Sequence, residues 1–184
     1  MVETRHVEIN YLFFECPIYY QIGNFPSSDE VYNSIVALSH QNRECELYVM
    51  AYREHTFDYN AIRNRELLKR YLTLQGYYNI SNNPHLINTY NANIDFDGIP
   101  IKSTIAYNFN NKNVITVVGN VFPFSNYRCN NDIKTILDTV KYIEPFNISY
   151  LNGPVKCYDC GFEYNSKLHD FCPNCGSMTG IPLK

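Results

Sequence analysis

The sequence lacks several features that mark large classes of proteins. It has no tryptophan, only 18% charged residues, and no apolar run near the roughly 18 residues that a membrane-spanning helix needs. The first ten residues, MVETRHVEIN, contain no apolar signal-peptide centre, so we expect no secretion by that route. Because 45% of the residues are hydrophobic, the chain can build a core, and we expect a folded protein. We expect it in the reducing cytoplasm and do not expect it to bind a membrane.

Motifs of the common enzyme classes are also missing. The chain has no Walker loop, no dinucleotide-binding glycine pattern, no metalloprotease helix and no nucleophile elbow. It has no basic excess either, because 15 Lys and Arg residues face 18 Asp and Glu residues, giving a net charge of −3. Contact with nucleic acid would therefore need a local basic patch. The abundance of asparagine (24) and tyrosine (17) is typical of AT-rich genomes, as in low-GC bacteria, their phages and some large viruses, and it fits a viral, phage or mobile-element protein.

Hydrophobic periodicity predicts an α+β fold, with a mixed or antiparallel sheet and about three helices, over a main domain of residues 1–152. Alternating apolar residues predict a first strand near 7–13, and the turn signal Asp97-Gly98 predicts a hairpin inside a three-stranded meander. Helical spacing and capping residues predict three helices. The predicted strands cover 7–13, 47–51, 90–96, 99–109, 114–118 and 146–151, and the predicted helices cover 27–40, 58–75 and 131–143.

Seven cysteines divide into two kinds. Cys16, Cys45 and Cys129 stand alone near apolar stretches, and we interpret them as buried small hydrophobes. The other four form the pattern C-x2-C-x11-C-x2-C, with the ligand-type residues Cys157, Cys160, Cys172 and Cys175. Two such turns can place four thiolates around one ion, and the glycine after each pair, Gly161 and Gly176, tolerates the positive φ of a tight knuckle.

Residues 155–178 resemble the zinc-ribbon, or rubredoxin-like knuckle, family in both C-x-x-C-G turns, in the aromatic residue after the first turn and in the C-P-x-C-G-S ending. The resemblance implies a small β-ribbon over 153–184 that holds one structural Zn²⁺, with iron as the alternative metal. We recognise no family for residues 1–150. The apolar residues Phe162, Tyr164, Leu168 and Phe171 are expected to cover the ribbon.

A second candidate site is a basic segment in the predicted helix 58–75. Arg63, Arg65, Lys69 and Arg70 face a single acidic residue, Glu66, and tyrosines lie close by. Such a mixture can contact phosphates and stack on bases, but it is equally the pattern of the solvated face of an amphipathic helix.

Three hypotheses for the function follow from these observations. The first is a non-enzymatic zinc-binding adaptor or regulatory protein that docks onto a protein assembly, with transcription or another nucleic-acid machine as its setting by association with ribbon families. The second is direct nucleic-acid binding through the basic helix and the ribbon. The third is an enzyme with its active site in the main domain and a structural zinc, which requires a pocket with convergent polar groups. We identify no catalytic residue, and the oligomeric state is left open.

Overall fold

The computed structural model of the chain describes residues 2–9, 11–23, 32–52, 65–110, 113–143, 146–147 and 153–183. Within these ranges the protein is mostly β, with fourteen strands and two helices. The predicted α+β fold with about three helices is therefore wrong. The chain divides into two compact units, Met1–Tyr142 and Ile143–Lys184. Neither described helix is long and apolar enough to cross a membrane.

The first unit is built on a seven-stranded antiparallel sheet. Its strand order is β3-β4-β5-β9-β8-β7-β6. The strands are β3 (Tyr20–Ile22), β4 (Tyr32–His40), β5 (Cys45–Tyr52), β6 (Tyr78–Asn82), β7 (Thr89–Phe96), β8 (Ile99–Asn110) and β9 (Asn113–Val121).

One face of the large sheet carries the main core. It is covered by helix α2 (Asn130–Thr139) and by a three-stranded sheet ordered β1-β2-β10, whose strands are β1 (Thr4–Ile9), β2 (Leu12–Pro17) and β10 (Lys141–Tyr142). Alternate residues of β5 point into this core, with Leu47 and Val49 fully buried. Helix α2 adds Ile133 and Ile136, the stripe that its helical spacing predicted.

The opposite face of the sheet holds a second, tyrosine-rich core. Helix α1 (Arg65–Leu74) covers it with Leu68 and Leu72, which pack near Tyr90, Ile105 and Tyr107. The helix ends at Leu74, and Gly76 just beyond it has a φ of +91°, which confirms the predicted left-handed C-cap. The predicted start of this helix, at residue 58, lies outside the described residues.

The predicted helix over 27–40 is contradicted where the structure describes it. Residues Tyr32–His40 form strand β4, paired with β5 on one side and β3 on the other. The apolar residues Ile35, Val36 and Leu38 fit either period, but β-branched residues favour a strand. Hydrogen bonding to both β3 and β5 stabilises the strand conformation over the helical one. Residues 27–31 lie outside the described ranges.

Two further predictions differ in detail. The single strand expected over 7–13 is a hairpin, because β1 and β2 pair antiparallel and Tyr11 adopts a φ of +64° between them. The strand expected over 146–151 is described only as β11 (Phe146–Asn147), which pairs with β14 (Thr179–Pro182) of the second unit instead of closing the first.

The meander is confirmed. Strands β7, β8 and β9 pair in succession, and the turn residues Asp97 and Gly98 have φ values of +50° and +78°. Both positive values are those of the two-residue hairpin turn that the Asp-Gly pair predicts. Pro100 lies opposite Asp95, beyond Lys102, where the pairing of β8 with β9 ends, so its missing N–H costs the ladder no hydrogen bond.

Candidate metal centre

The second unit is a small four-stranded sheet that carries the cysteines on its turns. Its strand order is β11-β14-β12-β13, with β12 (Pro154–Cys157) and β13 (Glu163–Asn165) forming an antiparallel pair. Cys157 ends β12, and Cys160 follows in the turn before β13. Cys172 and Cys175 lie in the connection from β13 to β14. The sheet thereby presents two cysteine turns at one end of the β12–β13 hairpin.

The four sulfur atoms form one cluster. The Sγ atoms of Cys157 and Cys175 are 3.5 Å apart, those of Cys160 and Cys172 are 3.6 Å apart, and all four lie within 4.8 Å of one another. A tetrahedral Zn–S centre with bonds of about 2.3 Å has S···S edges of about 3.8 Å, whereas a disulfide needs about 2.05 Å. The four thiols are free, and their spacing is that of ligands around a single ion.

The two cysteine turns share one hydrogen-bond pattern. In each, the N–H of the first cysteine donates to the carbonyl five residues later, at 2.8 Å in both turns. The N–H of the following glycine donates back to the first cysteine's carbonyl, at 2.9 Å for Gly161 and 2.8 Å for Gly176. These glycines have φ values of +70° and +77°, which confirms the conformation that their position predicts. The pair of turns is therefore a repeated knuckle built by the backbone.

The knuckles also direct donors at the sulfurs. The side chain of Asn174 and the backbone N–H of Phe162 both donate to Cys160, and they lower the pKa of its thiol to about 6. The backbone N–H of Ser177 acts on Cys175 in the same sense, but the neighbouring thiols and burial still raise the pKa of Cys175 to about 12. Burial likewise raises the pKa of Cys157.

The lowered pKa of Cys160 and the raised pKa values of Cys157 and Cys175 show whether the four thiols fit a metal ion. Four crowded thiols cannot all ionise in the absence of a cation, because like charges at this distance repel one another. Donors that already favour one thiolate, beside partners that resist ionisation, form a donor set that a thiophilic dication completes. Among the described residues, the group of metal-ligand type consists of the four cysteines alone, so His169, Asp159 and Glu163 are not part of it.

The predicted apolar cover of the ribbon is not formed. Phe162, Leu168 and Phe171 are 44%, 76% and 53% exposed. Tyr164 alone is half-buried, stacked on Phe162 with ring centroids 6.3 Å apart, and its buried hydroxyl has no hydrogen-bond partner in the described part of the chain. The interior of the unit is instead made of Val155, the buried cysteines and Ile181. The apolar side chains therefore lie on the surface of this unit.

Only part of the basic segment lies within the described residues. Arg65 and Arg70 are exposed on α1 and Lys69 is half-buried, while Arg63 lies outside the described residues. Arg65 and Lys69 are four residues apart and share a helix face, from which Arg70 is turned away. Of the nearby tyrosines, Tyr71 and Tyr77 are partly buried against the second core, whereas Tyr78 is 37% exposed. The arrangement is that of a solvated helix face, and its nucleic-acid role stays a prediction.

The three isolated cysteines are buried, as predicted. Burial raises the pKa of Cys16 and of Cys45 to about 12, and that of Cys129 to about 11. At neutral pH these thiols are protonated and inert toward electrophiles.

A buried polar cluster in the first unit escaped the sequence analysis. Asp132, in the first turn of α2, is 3% exposed and accepts hydrogen bonds from Tyr19 (2.6 Å), Tyr20 (3.0 Å) and Tyr127 (2.6 Å). The ring of the buried His40 lies 4.7 Å from that of Tyr127. These residues come from separate parts of the chain, and no motif joins them. The cluster ties the start of α2 to Tyr19, in the connection between β2 and β3, and to Tyr20, the first residue of β3.

Comparison with known proteins adds no relative: no protein-family model matches the chain, and neither does any curated protein. The assignment of the site therefore depends on its own geometry.

Proposed function

We propose that the protein is a non-enzymatic adaptor or regulator whose second unit is a zinc ribbon that docks onto a protein partner. The observation that carries the proposal is the four-sulfur cluster, with its S···S distances of 3.5 and 3.6 Å on two equivalent knuckles. Four thiolates would saturate a tetrahedral Zn²⁺ and leave no position for water or substrate. Such an ion supplies folding energy and shape, and no reaction is assigned to it.

Zinc is preferred to iron because an electron-transfer role would need a partner cofactor, for which the sequence offers no motif. Sulfur ligation suits both metals, so the metal itself is a matter for measurement.

Exposed apolar side chains support docking to a protein. Leu168, Phe171 and Met178 are 76%, 53% and 52% exposed in a unit that buries few apolar groups of its own. A contiguous exposed apolar patch marks an interaction surface, and the proposal is that these side chains form one. The net charge of −3 favours a protein partner over a polyanion. A setting in transcription or another nucleic-acid machine, and a viral or phage origin, belong to this proposal.

The metal is tested by elemental analysis and by folding. We expect one equivalent of zinc per chain, and loss of structure in residues 153–183 when a strong chelator removes it, because metal binding supplies on the order of 10 kcal/mol to such modules. Cys172→Ser should lower the zinc content and expose the other three ligand thiols to alkylation. Cys45→Ala, which alters a buried thiol outside the cluster, should keep the zinc. A chain that keeps its tail folded without metal would contradict the structural role.

Docking is tested by affinity capture from the natural host, compared between matched variants. Leu168→Glu, on the ribbon, should abolish recovery of the specific partner. Ile87→Glu changes an equally exposed apolar residue of the first unit (87% exposed) and should leave recovery unchanged. Equal recovery by both variants would place the docking surface elsewhere. The nucleic-acid alternative is tested by the same capture with Arg65→Glu and Arg70→Glu. Under that alternative, both variants recover less nucleic acid, and recovery by the unaltered protein falls steeply as the salt concentration rises.

A further inference from the structure

A polar groove of about 700 Å³ lies in the first unit, beside the first residue of α2. One side consists of two cross-strand pairs from β7 and β8, Asn91 with Thr104 and Asn93 with Lys102, which share one face of the sheet. The other side is the chain leading into α2, including residues 125–130. The volume falls within the range of roughly 300–1,000 Å³ that is usual for small-ligand sites.

A buried asparagine determines how two amides present themselves to this groove. Asn83 is 7% exposed, and its Oδ1 accepts the backbone N–H groups of His85 (2.8 Å) and Leu86 (3.2 Å). Since a backbone N–H can only donate, the oxygen and nitrogen of the Asn83 amide are assigned without ambiguity. Its Nδ2 then donates to the Oδ1 atoms of Asn91 (3.0 Å) and Asn130 (3.2 Å).

The orientation of Asn83 also determines which end of the Asn91 and Asn130 side-chain amides can meet a ligand. With both Oδ1 atoms occupied by Asn83, the Nδ2 groups of Asn91 and Asn130 are left as donors, and neither has a partner in the described part of the chain. Both residues line the groove. The groove therefore contains two oriented N–H₂ donors that are held in place before any ligand arrives.

The charges of the groove have one sign. Lys102 and Arg128 line it, are exposed, and form no ion pair with any described residue. His85 also lines it, and none of its described lining residues is acidic. The nearest carboxylate along β7, that of Asp95, accepts the hydroxyl of Tyr78 at 2.6 Å and does not line the groove. This local excess of cations is notable in a chain whose net charge is −3.

We propose that this groove binds a small phosphate ester of a hydroxylated molecule, of the sugar-phosphate or nucleotide type. Lys and Arg with fixed amide donors are the groups that hold phosphate oxygens through charge-assisted hydrogen bonds. The hydroxyl of Thr104 donates to Asn91 Oδ1 (3.4 Å) and can still accept, and that of Ser125 accepts the N–H of Tyr127 (3.0 Å) and can still donate, so together they suit a hydroxyl group of the ligand. The site is independent of the cysteine cluster and goes beyond the docking role.

The probes for the test are ribose 5-phosphate, AMP, ribose, adenosine and inorganic phosphate, titrated by calorimetry into the full-length, zinc-loaded protein. We expect at least one of the two phosphate esters to bind about tenfold or more tightly than its unphosphorylated counterpart and than inorganic phosphate. Preference for ribose 5-phosphate assigns the site to sugar phosphates, and preference for AMP assigns it to nucleotides. Failure of both esters to bind, or binding no tighter than that of inorganic phosphate, overturns the proposal.

Three variants locate the binding. Asn91→Asp keeps the Oδ1 that accepts from Asn83 but replaces the donor with a negative charge, so ester binding should weaken about tenfold or more with little change in folding. The double variant Lys102→Glu, Arg128→Glu should do the same. Gln21→Glu makes the same amide-to-carboxylate change on edge strand β3, five strand spacings or roughly 24 Å from β7, and should bind normally. Unchanged ester binding in Asn91→Asp and the double variant would refute the site.

Discussion

Replacing Gly119 with alanine tests how tightly α2 packs on the large sheet. Gly119 lies in β9, and a Cβ added there would meet Cys129 Sγ at 2.7 Å and the side-chain carbons of Ile133 and Leu47 at 3.0 Å each. Real Cβ atoms almost never approach other atoms to under 3.0 Å. The two helix-side contacts are buried, with Cys129 2% and Ile133 0% exposed, so neither side chain can turn away into solvent.

Two opposed effects determine how much Gly119→Ala changes the free energy of unfolding. Overpacking a buried site costs about 1–3 kcal/mol, and the three contacts place this one near the upper end. The loss of glycine's freedom in the unfolded chain returns about 0.5–1 kcal/mol. We therefore expect Gly119→Ala to lower the free energy of unfolding of the first unit by about 2 kcal/mol. For a chain of this size, that lowers the melting temperature by about 4–8 °C.

A double-mutant cycle makes the reasoning refutable. Cys129→Ala removes the closest atom, and it costs no helix cap because the Cys129 side chain makes no capping hydrogen bond. The double variant should be more stable than the sum of the single effects predicts, by about 1 kcal/mol. Gly23→Ala, whose added Cβ has its nearest neighbours at 3.7 Å, is the matched control and should be neutral or slightly stabilising. Urea unfolding followed by circular dichroism measures all four variants. A neutral Gly119→Ala, or strictly additive effects, would refute the packing described here.

Two other predictions concern buried polar groups. Asp132→Ala should lower the free energy of unfolding by about 3–5 kcal/mol, because it leaves three tyrosine hydroxyls without their acceptor. Tyr127→Phe should lower it by about 1–2 kcal/mol, and the surface control Tyr78→Phe should change it by no more than about 0.5 kcal/mol. Equal losses for all three variants in urea unfolding would contradict the role of the cluster. Burial raises the pKa of Cys16 and Cys45 from 9.0 to about 12, so unfolding releases their protons above pH 9. The contribution of these thiols to stability should therefore be constant below that pH and fall toward pH 12 by about 1.4 kcal/mol per pH unit for each thiol. The double variant Cys16→Ala, Cys45→Ala should reduce that fall, and an unchanged fall in the double variant would show that the thiols are not buried.

The fold was predictable where a few neighbouring residues decide the conformation. The hairpin at Asp97-Gly98 and the buried stripe Ile133, Ile136 of α2 depend on turn chemistry and on spacing within one element, and both are confirmed. The strand at 32–40 was mistaken for a helix because its apolar residues satisfy both periods. Its pairing with β5 involves residues on another strand, and a single-chain pattern does not contain that information.

The candidate site shows the same division. The spacing of the four cysteines and the two glycines predicts the knuckles, because each knuckle closes its hydrogen bonds within five residues. The exposure of Leu168 and Phe171 was not predictable, since an apolar residue in a small unit has the same appearance in the sequence whether it is covered or not.

The two knuckles, the meander turn and the burial of the isolated cysteines follow from the amino-acid sequence, because local geometry and hydrophobicity are sufficient for each. The hydrogen bonds from Asn83 to Asn91 and Asn130, and the convergence of three tyrosines on Asp132, depend instead on how distant parts of the chain pack together. Those contacts join residues up to 113 positions apart, as between Tyr19 and Asp132. Strand order and register create them, and these arise from the packing of the whole sheet.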